Sequence, residues 1–502
     1  MCNRQSHFFS LELLQNDTKT KNIDARFLAI DFNQWEPHVR STLAILSFLA
    51  QSGFKCFYDQ ARFGFFPEFG KPYFGNQVYV KPYSLVEKQI SVPEKSSDTL
   101  TLDLIDSELS SLMKASLVNV RDRRGLAKLR NNDFEYGYAL VSTLASTFGR
   151  SELNSRLIRR YATSLLEDYI QTANNVYRTL ITNRITHLIV FNGRFVKESA
   201  AVSAAKAANV TIVYHESSKS GRFFISCFSP LCSRGYFELT QFLTQERKSA
   251  EISKIAQTWF KNRITGQDMD ISGFQRKWVP LTGSPVKSDL ERKQIVIFTT
   301  SDDEFLGVSP EWDLPESQSQ IEWLTRISQL AISYNHKVII RLHPNLKTKS
   351  KSLQKEWSKL SKVKNLKLIG YNDSVNSYSL INESDLIISC GSTIAMEAGF
   401  LGKPVLSVGS GIYDGLQAVK KSQDLEYIEK LFRDENFESV KPIKSKIEIY
   451  GFTEMSKFDS AESNLLMARL VWDFDLFKPS LLVRLFSKLY REIVFKLSLI
   501  NR

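Results

Sequence analysis

Hydroxyl, amide and carboxyl groups lie close together between residues 385 and 408, in an order that suits a phosphate. An apolar run to residue 389 is followed by Gly391, Ser392 and Thr393, then by a short helix that carries Glu397, and then by a second apolar run. A turn from strand to helix presents free backbone N–H groups and hydroxyls at the helix start, where they can bind phosphate. Glu397 lies one turn into that helix and can reach a sugar hydroxyl beside the phosphate. The segment therefore predicts a site for a nucleotide-linked substrate.

Two more groups of polar residues follow predicted strands, at 299–304 and at 341–345. An imidazole can donate to a phosphate oxygen or, when protonated, offset its charge, and a proline directly after it ends the strand. Each group alone is equally explained as a turn, a helix cap or a solvated loop. Because ligands bind at the carboxyl ends of parallel strands, we expect the groups to meet in one nucleotide-sugar site. Its predicted members are Ser301, Glu304, Arg341, His343, Pro344, Gly391, Ser392, Thr393 and Glu397.

Strands alternate with helices in two parts of the chain, which predicts two parallel sheets covered by helices on both faces. In the first part the predicted strands are 26–31, 187–191 and 210–214, with helices at 39–52 and 197–208, a mostly helical region at about 100–184 and an irregular loop at 60–98. In the second part the predicted strands are 295–300, 337–342, 365–369, 385–389 and 404–408, with helices at 319–335, 350–362, 374–383 and 393–401. A helical connector is predicted near 240–264.

The length of 502 residues is too great for one hydrophobic core and predicts two domains. We expect a polar lead-in at 1–24, an N-terminal Rossmann-like domain at 25–275 containing the helical insertion, a C-terminal Rossmann-like domain at 285–455, and further helices at 456–502. The sequence has no apolar run of about 18 residues and no secretory leader pattern, and its five cysteines form no CxxC pair. A cytoplasmic protein with reduced thiols is the expectation.

The net charge of +12 is unevenly distributed. Residues 478–502 hold six basic side chains and one Glu, and within them 481–500 reads as an amphipathic helix with Arg484, Lys488 and Arg491 on one stripe. Such a helix either lies on an anionic membrane surface, on the inner face of the cytoplasmic membrane, or packs against protein. The lysine-rich stretch at 347–367 resembles the solvated face of a surface helix. Aromatic and basic residues are not interleaved, so nucleic acid is not an expected partner.

A family resemblance rests on the segments 298–304, 341–345, 375–381 and 385–404. Together they resemble the bacterial capsule polysaccharide biosynthesis family over roughly 290–416, and more weakly over 187–216. That family is similar to glycosyltransferases of the GT-B fold, which have two Rossmann-like domains facing across a cleft. The resemblance implies that His343 contacts the donor phosphates, that Ser392 and Thr393 cradle them, and that Glu397 holds the ribose. CMP-, UDP- and GDP-sugars all remain open as donors.

Glycosyl transfer with inversion needs a base for the proton of the acceptor hydroxyl, and we expect it on the first domain. The candidates are Asp31, His38 and Glu216, which lie at or after predicted strands. Asn192 and Arg194 follow the strand 187–191, and Arg194 can bind an anionic group of donor or acceptor. For each candidate a helix cap, an ion pair or another structural contact is the alternative.

The expected function is transfer of a sugar from a nucleotide-sugar donor to a growing capsular or other cell-surface glycan, free or lipid-linked. No Asp-x-Asp metal motif follows a strand, so we expect a metal-independent enzyme with no cofactor. Three alternatives stay open: a nucleotide-sugar epimerase, a polyol-phosphate transferase on the same scaffold, and a non-catalytic protein that binds nucleotide or glycan in an assembly complex.

Overall fold

The chain is described from a computed structural model. It covers residues 10–20, 24–32, 36–60, 77–80, 90–94, 103–131, 134–148, 153, 155–217, 223–266, 291–301, 306–315, 319–349, 351–457 and 474–477. The predicted site residue Glu304, half of the lead-in (1–9 and 21–23) and the basic helix at 481–500 therefore lie outside the described residues. Within the described part, no helix is both long enough and apolar enough to span a bilayer.

The strands of the described residues form two sheets of six and one strand pair. They are β1 (Arg26–Asp31), β2 (Lys55–Gln60), β3 (Gln77–Val80), β4 (Ile90–Ser91), β5 (His187–Phe191), β6 (Thr211–Ser217), β7 (Phe223–Ser226), β8 (Gln294–Phe298), β9 (Lys337–Arg341), β10 (Leu366–Ile369), β11 (Leu386–Cys390), β12 (Val405–Gly409), β13 (Lys420–Lys421) and β14 (Phe474–Phe477).

The α-helices of the described residues lie before, between and after these strands. They are α1 (Leu11–Thr20), α2 (Glu36–Gln51), α3 (Ser107–Ser116), α4 (Arg123–Ala127), α5 (Tyr136–Phe148), α6 (Ser155–Thr182), α7 (Val196–Ala207), α8 (Ser233–Thr244), α9 (Ser249–Thr265), α10 (Gln320–Ser333), α11 (Lys351–Ser358), α12 (Ser377–Asn382), α13 (Ile394–Phe400), α14 (Leu425–Asp434) and α15 (Lys444–Ser456). Short 3-10 helices are Pro310–Trp312, Pro344–Thr348, Lys359–Lys362, Ile412–Leu416 and Phe437–Val440.

The first sheet has the order β4-β2-β1-β5-β6-β7, and its strands are parallel except β7, which runs antiparallel to β6. Every residue of β5 is buried, and so are five of the six residues of β1. Continuous burial is typical of parallel strands that are covered on both faces. The chain adds β2 on one side of β1 and β5 on the other, so the strand order reverses between β1 and β5.

The second sheet has the order β10-β9-β8-β11-β12-β13 and is parallel throughout. Its central strands β8, β11 and β12 are buried along their whole length. Here the strand order reverses between β8 and β11. The predicted fold class, two doubly wound parallel sheets with helices, is confirmed.

The sequence missed the strands at the sheet margins. β2, β4, β7 and β13 were not predicted, and β3 and β4 fall within 60–98, where an irregular loop was predicted. β14 falls within 456–502, where helices were predicted. These strands are short or begin with polar residues, so their pairing depends on a neighbouring strand and not on an apolar run of their own. The predicted helix at 350–362 ends as an α-helix at Ser358 and continues as a 3-10 helix.

Helices α8 and α9 precede the second sheet in the chain and pack on it. The buried rings of Trp259 and Phe260 belong to the same apolar cluster as Tyr450 of α15, and Phe260 stacks on Phe400 with 4.2 Å between ring centroids. The Tyr236 hydroxyl donates to Glu454 at 2.9 Å. The predicted end of the first domain, at 275, falls within 267–290, outside the described residues.

The segment that follows β8 contacts the helical region of the first unit. Asp313 accepts a hydrogen bond from the Tyr138 hydroxyl at 3.1 Å and lies 3.8 Å from the Arg123 guanidinium. At Gly307, whose φ is +74°, a β-carbon would lie 2.5 Å from the backbone nitrogen of Ser142. A side chain at position 307 would therefore push the two units apart.

A buried side-chain amide on α6 binds the backbone of the segment before α3. Asn174 of α6 accepts from the backbone N–H of Ile105 at 2.8 Å and donates to the carbonyl of the same residue at 2.9 Å. It thus pairs both backbone groups of a buried residue, as a neighbouring strand would. Its chain neighbour Asn175 is exposed on the same helix.

We expect Asn174→Ala to lower the free energy of unfolding by about 2–4 kcal/mol, because two buried backbone groups lose their partners. The matched change Asn175→Ala should alter it by less than about 0.5 kcal/mol. Urea unfolding followed by circular dichroism measures both. Equal effects of the two changes would contradict the stabilising role of the hydrogen bonds between Asn174 and Ile105.

Candidate active site

Asp31 ends β1 and is buried among hydroxyl groups. Its two carboxylate oxygens accept from the Thr42 and Tyr58 hydroxyls, each at 2.9 Å. Its side chain is almost without solvent contact. Burial raises the pKa of Asp31 to about 6, and the two hydrogen bonds counteract only part of this effect.

Two histidines contact the same hydroxyls or lie beside them. His215 of β6 places Nε2 3.2 Å from the Thr42 hydroxyl and Nδ1 3.1 Å from that of Ser41, so Thr42 links it to Asp31. Burial lowers the pKa of His215 to about 3. His38 of α2 stacks on Phe191, with 3.6 Å between ring centroids. Burial, and then the neighbouring His215, lower the pKa of His38 well below its ordinary value, so both rings are neutral near pH 7.

Glu216 is the carboxylate of this group that reaches solvent. One oxygen accepts from the Asn192 amide at 3.2 Å, and the other lies 3.9 Å from Nε2 of His38. Its side chain is 16% exposed, whereas that of Asp31 is enclosed. The structure therefore brings Asp31, His38, Asn192 and Glu216 together at the carboxyl edge of the first sheet.

Asn192 and Arg194 follow β5 in a tight turn. Asn192 has φ +55° and is buried. Its side-chain oxygen, Oδ1, is buried and accepts no hydrogen bond from the residues that the structure describes. The Arg194 guanidinium lies over the ring of Phe195, 4.5 Å from its centroid.

On the second sheet, the residues after β8 and β9 are hydrogen-bonded to each other. The Thr299 hydroxyl accepts from the backbone N–H of His343 at 2.8 Å. Nδ1 of His343 accepts from the N–H of Asn345 at 3.2 Å, which places the proton of the neutral ring on Nε2. A shallow depression of about 20 Å³, partly open to solvent, lies beside these residues. Its walls are Thr299, Thr300, Ser301, His343, Leu346, Lys349, Leu353 and Trp357.

The turn after β11 has the conformation that the glycine suggested. Gly391 has φ +78°, and a β-carbon there would lie 1.9 Å from the carbonyl oxygen of Ser410, so no other residue fits. The backbone N–H of Ser392 donates to the Ser389 hydroxyl at 3.0 Å. Ser392 and Thr393 are half-buried at the start of α13.

Two predicted ligand-binding residues have structural partners. Arg341 is buried and donates to the backbone carbonyls of Gly370 and Asp373, so it holds the turn after β10. Pro344 begins the 3-10 helix that follows His343. For Arg341 and Pro344 a contact with the donor stays a prediction.

Glu397 is enclosed by partners that the sequence did not suggest. One of its oxygens accepts from Arg263 of α9 at 2.6 Å, and the other accepts from the Tyr378 hydroxyl at 2.6 Å. The side chain is 1% exposed. Burial opposes the charge on Arg263, but Glu397 beside it more than offsets this effect, so the pKa of Arg263 lies above its ordinary value. Both carboxylate oxygens of Glu397 accept from protein groups here. Its contact with ribose stays a prediction.

Several residues of the site were not found from the sequence. Thr42 and Tyr58 contact Asp31, and Ser41 contacts His215, but no sequence pattern indicates these contacts. Tyr378, which contacts Glu397, does lie inside the motif 375–381. Among the residues described, no cluster of three or more His, Cys, Asp or Glu side chains has the arrangement of a metal site.

Comparison with known proteins gives weak similarities only. No family model matches the chain, and no curated protein matches it. Solved structures with some likeness include KpsC, beta Kdo 2,4 transferase, of Thermosulfurimonas dismutans (TM-score 0.35, 14% identity, 53% of this chain and 78% of that chain). Another is the UDP-GlcNAc 2-epimerase of Neisseria meningitidis bound to UDP-GlcNAc (TM-score 0.25, 16% identity, 59% of this chain and 81% of that chain). A third is MurG of Acinetobacter baumannii (TM-score 0.27, 11% identity, 89% of this chain and 99% of that chain). Similarities of this size establish no family, and the proposals below rest on the contacts of this chain.

Proposed function

We propose that this chain is a glycosyltransferase that moves a sugar from a nucleotide-sugar donor to a growing cell-surface glycan. One observation carries the proposal: in each sheet, polar side chains follow the two strands between which the strand order reverses. They are Asp31 and Asn192 on the first sheet, and Ser301 and Ser392 on the second. Ligands of doubly wound sheets bind at this point. Two such points in one chain suit two substrates, a donor and an acceptor.

The donor would bind at the second sheet. His343 with its proton on Nε2 can donate to a phosphate oxygen, and the neighbouring hydroxyl of Ser301 adds a further donor. Stabilising the charge that develops on the departing nucleotide lowers the barrier to transfer. Ser392 and Thr393 would contact the same phosphates from the other side of the strand reversal. No step of this scheme requires a metal ion or a cofactor, and we propose none.

The base would be Glu216. Asp31 is enclosed, with both oxygens accepting from hydroxyls, and His215 has a hydroxyl beside each ring nitrogen. Glu216 is the carboxylate with an exposed part, and Asn192 orients it. The Asn192 amide holds one oxygen of Glu216, so an acceptor hydroxyl would approach the exposed part of this carboxylate. We propose that Asp31 and His38 support this arrangement and that Arg194 binds an anionic group.

We expect His343→Ala to abolish the rise in melting temperature that the matching nucleotide-sugar causes. A ligand at a hundred times its Kd adds about 2.7 kcal/mol to apparent stability, so its loss is measurable. The measurement is a thermal-shift screen of the protein and the variant against CMP-, UDP- and GDP-sugars.

His336→Gln is the matched control for that experiment. His336 precedes β9, whereas His343 follows it, and His336 bonds to the carbonyl of Phe432 at 2.9 Å. The control should lose stability but keep the ligand-induced shift. A full shift in His343→Ala would show that the donor binds elsewhere.

We expect Glu216→Gln to lower the rate of sugar transfer by about 10²–10⁴-fold, because the amide cannot accept the proton, while donor binding stays intact. Transfer to glycan acceptors is measured with the donor found by thermal shift, with and without a chelator. Glu246→Gln, a change of an exposed carboxylate on the loop before α9, should leave the rate unchanged. The same donor incubated without acceptor tests for isomerisation, which would favour an epimerase instead.

We expect Asp31 to make the protein less stable as the pH rises. The folded pKa of about 6 exceeds the ordinary 3.8, so folding favours the protonated acid. Its stabilising effect is complete below the unfolded pKa and is lost as the pH rises through the folded one, a change of about 3 kcal/mol. Asp31→Asn should remove this term, so the variant gains stability relative to the parent between about pH 4 and about pH 7. A difference in melting temperature that does not vary with pH would contradict this assignment.

A further inference from the structure

A dense group of lysines follows the donor-side histidine in the chain. Residues 344–367 contain eight lysines, no arginine and one acidic residue, Glu356. The lysine surface, as we define it, consists of Lys347, Lys349, Lys351, Lys355, Lys359, Lys362, Lys364 and Lys367. Seven of them are exposed, and Lys349 lines the depression beside His343.

The fold directs these lysines away from the core. Leu353 and Trp357 of α11 are buried against the second sheet. Lys351 and Lys355 are spaced four residues apart on the opposite side of the helix, and Lys359 continues the row. Lys367 is exposed on β10, the edge strand of the sheet. The lysines of α11 and of the 3-10 helix after it therefore share one outer region of the second unit, whereas Lys367 lies on the face of β10 opposite to Leu366 and Leu368.

Six of these eight charges have no ion-pair partner among the residues that the structure describes. Among the residues described, no ion pair is formed by Lys347, Lys355, Lys359, Lys362, Lys364 or Lys367. Another helix, α8, does pair charges one turn apart: Arg234 lies 3.8 Å from Glu238. Lys355 and Lys359 lie one turn apart, and like charges so spaced repel each other, so this arrangement is costly unless a negative partner meets it.

The residue types indicate the kind of partner. Lysine is a compact, mobile point charge, whereas arginine is preferred where a particular phosphate or carboxylate is held by two parallel hydrogen bonds. No aromatic or large aliphatic side chain of this stretch is exposed, so bases have no surface on which to stack. A surface of many diffuse negative charges fits this composition, and an anionic lipid bilayer is such a surface.

We infer that the lysine surface docks the protein on anionic lipid. This inference is independent of the proposed function and of the basic segment at 481–500. Because Lys349 belongs both to the lysine surface and to the depression, docking would place the depression close to the lipid headgroups.

The test is flotation of the full chain with vesicles of phosphatidylcholine, with and without phosphatidylglycerol. The variant changes Lys347, Lys355, Lys359 and Lys362 to Gln. Each lysine near an anionic surface strengthens binding severalfold, so the partition coefficient should fall about a hundredfold or more. Binding of the parent should also weaken steeply with salt.

The matched control changes Lys128, Lys206, Lys254 and Lys444 to Gln, which are exposed and lie elsewhere. It lowers the net charge equally and should retain binding. Melting temperatures of both variants establish that they are folded. The inference is overturned if the lysine-surface variant binds vesicles as the parent does, or if the control loses as much. It is also overturned if the lysine-surface variant binds vesicles normally and loses binding only to a soluble polyanion such as polyglutamate.

Discussion

Parallel pairing at the two strand reversals is the constraint on which the rest of the structure depends. β1 pairs with β5 and β8 pairs with β11, each in parallel, so the residues after these strands emerge at the same edge. The central strands have almost no polar side chains because both faces are covered. Polar residues therefore collect beyond the strand ends, and the topology alone brings distant parts of the chain together.

The first sheet shows how such a cluster remains folded despite its burial. Asp31 receives two hydroxyl donors, and His215 has a hydroxyl beside each nitrogen, so the cost of burying these polar groups is largely offset by hydrogen bonds. Burial keeps the histidines uncharged. Glu216 lies at the margin of this dry network, where a carboxylate stays accessible to a substrate.

The strand ends could be read from the sequence, but their partners could not. Asp31, His38 and Glu216 were identified because they lie at or after predicted strands, and the structure brings all three together. The partners of Glu397 show the limit, because Arg263 comes from a helix predicted only as a connector. Its contact exists only because Trp259 and Phe260 bury that helix on the second sheet. No local sequence pattern predicts such packing. The strands at the sheet margins were missed for the same reason, because their pairing depends on a neighbouring strand.

The position of α9 has a consequence for synthesis. The chain leaves the ribosome from its N-terminus, so α9 emerges before any strand of the sheet on which it packs and long before α15. Until then, the large rings of Trp259 and Phe260 have none of their native neighbours from α15. Unsatisfied apolar surface on a nascent chain promotes aggregation. This helix is therefore a part of the protein that a chaperone would shield during translation.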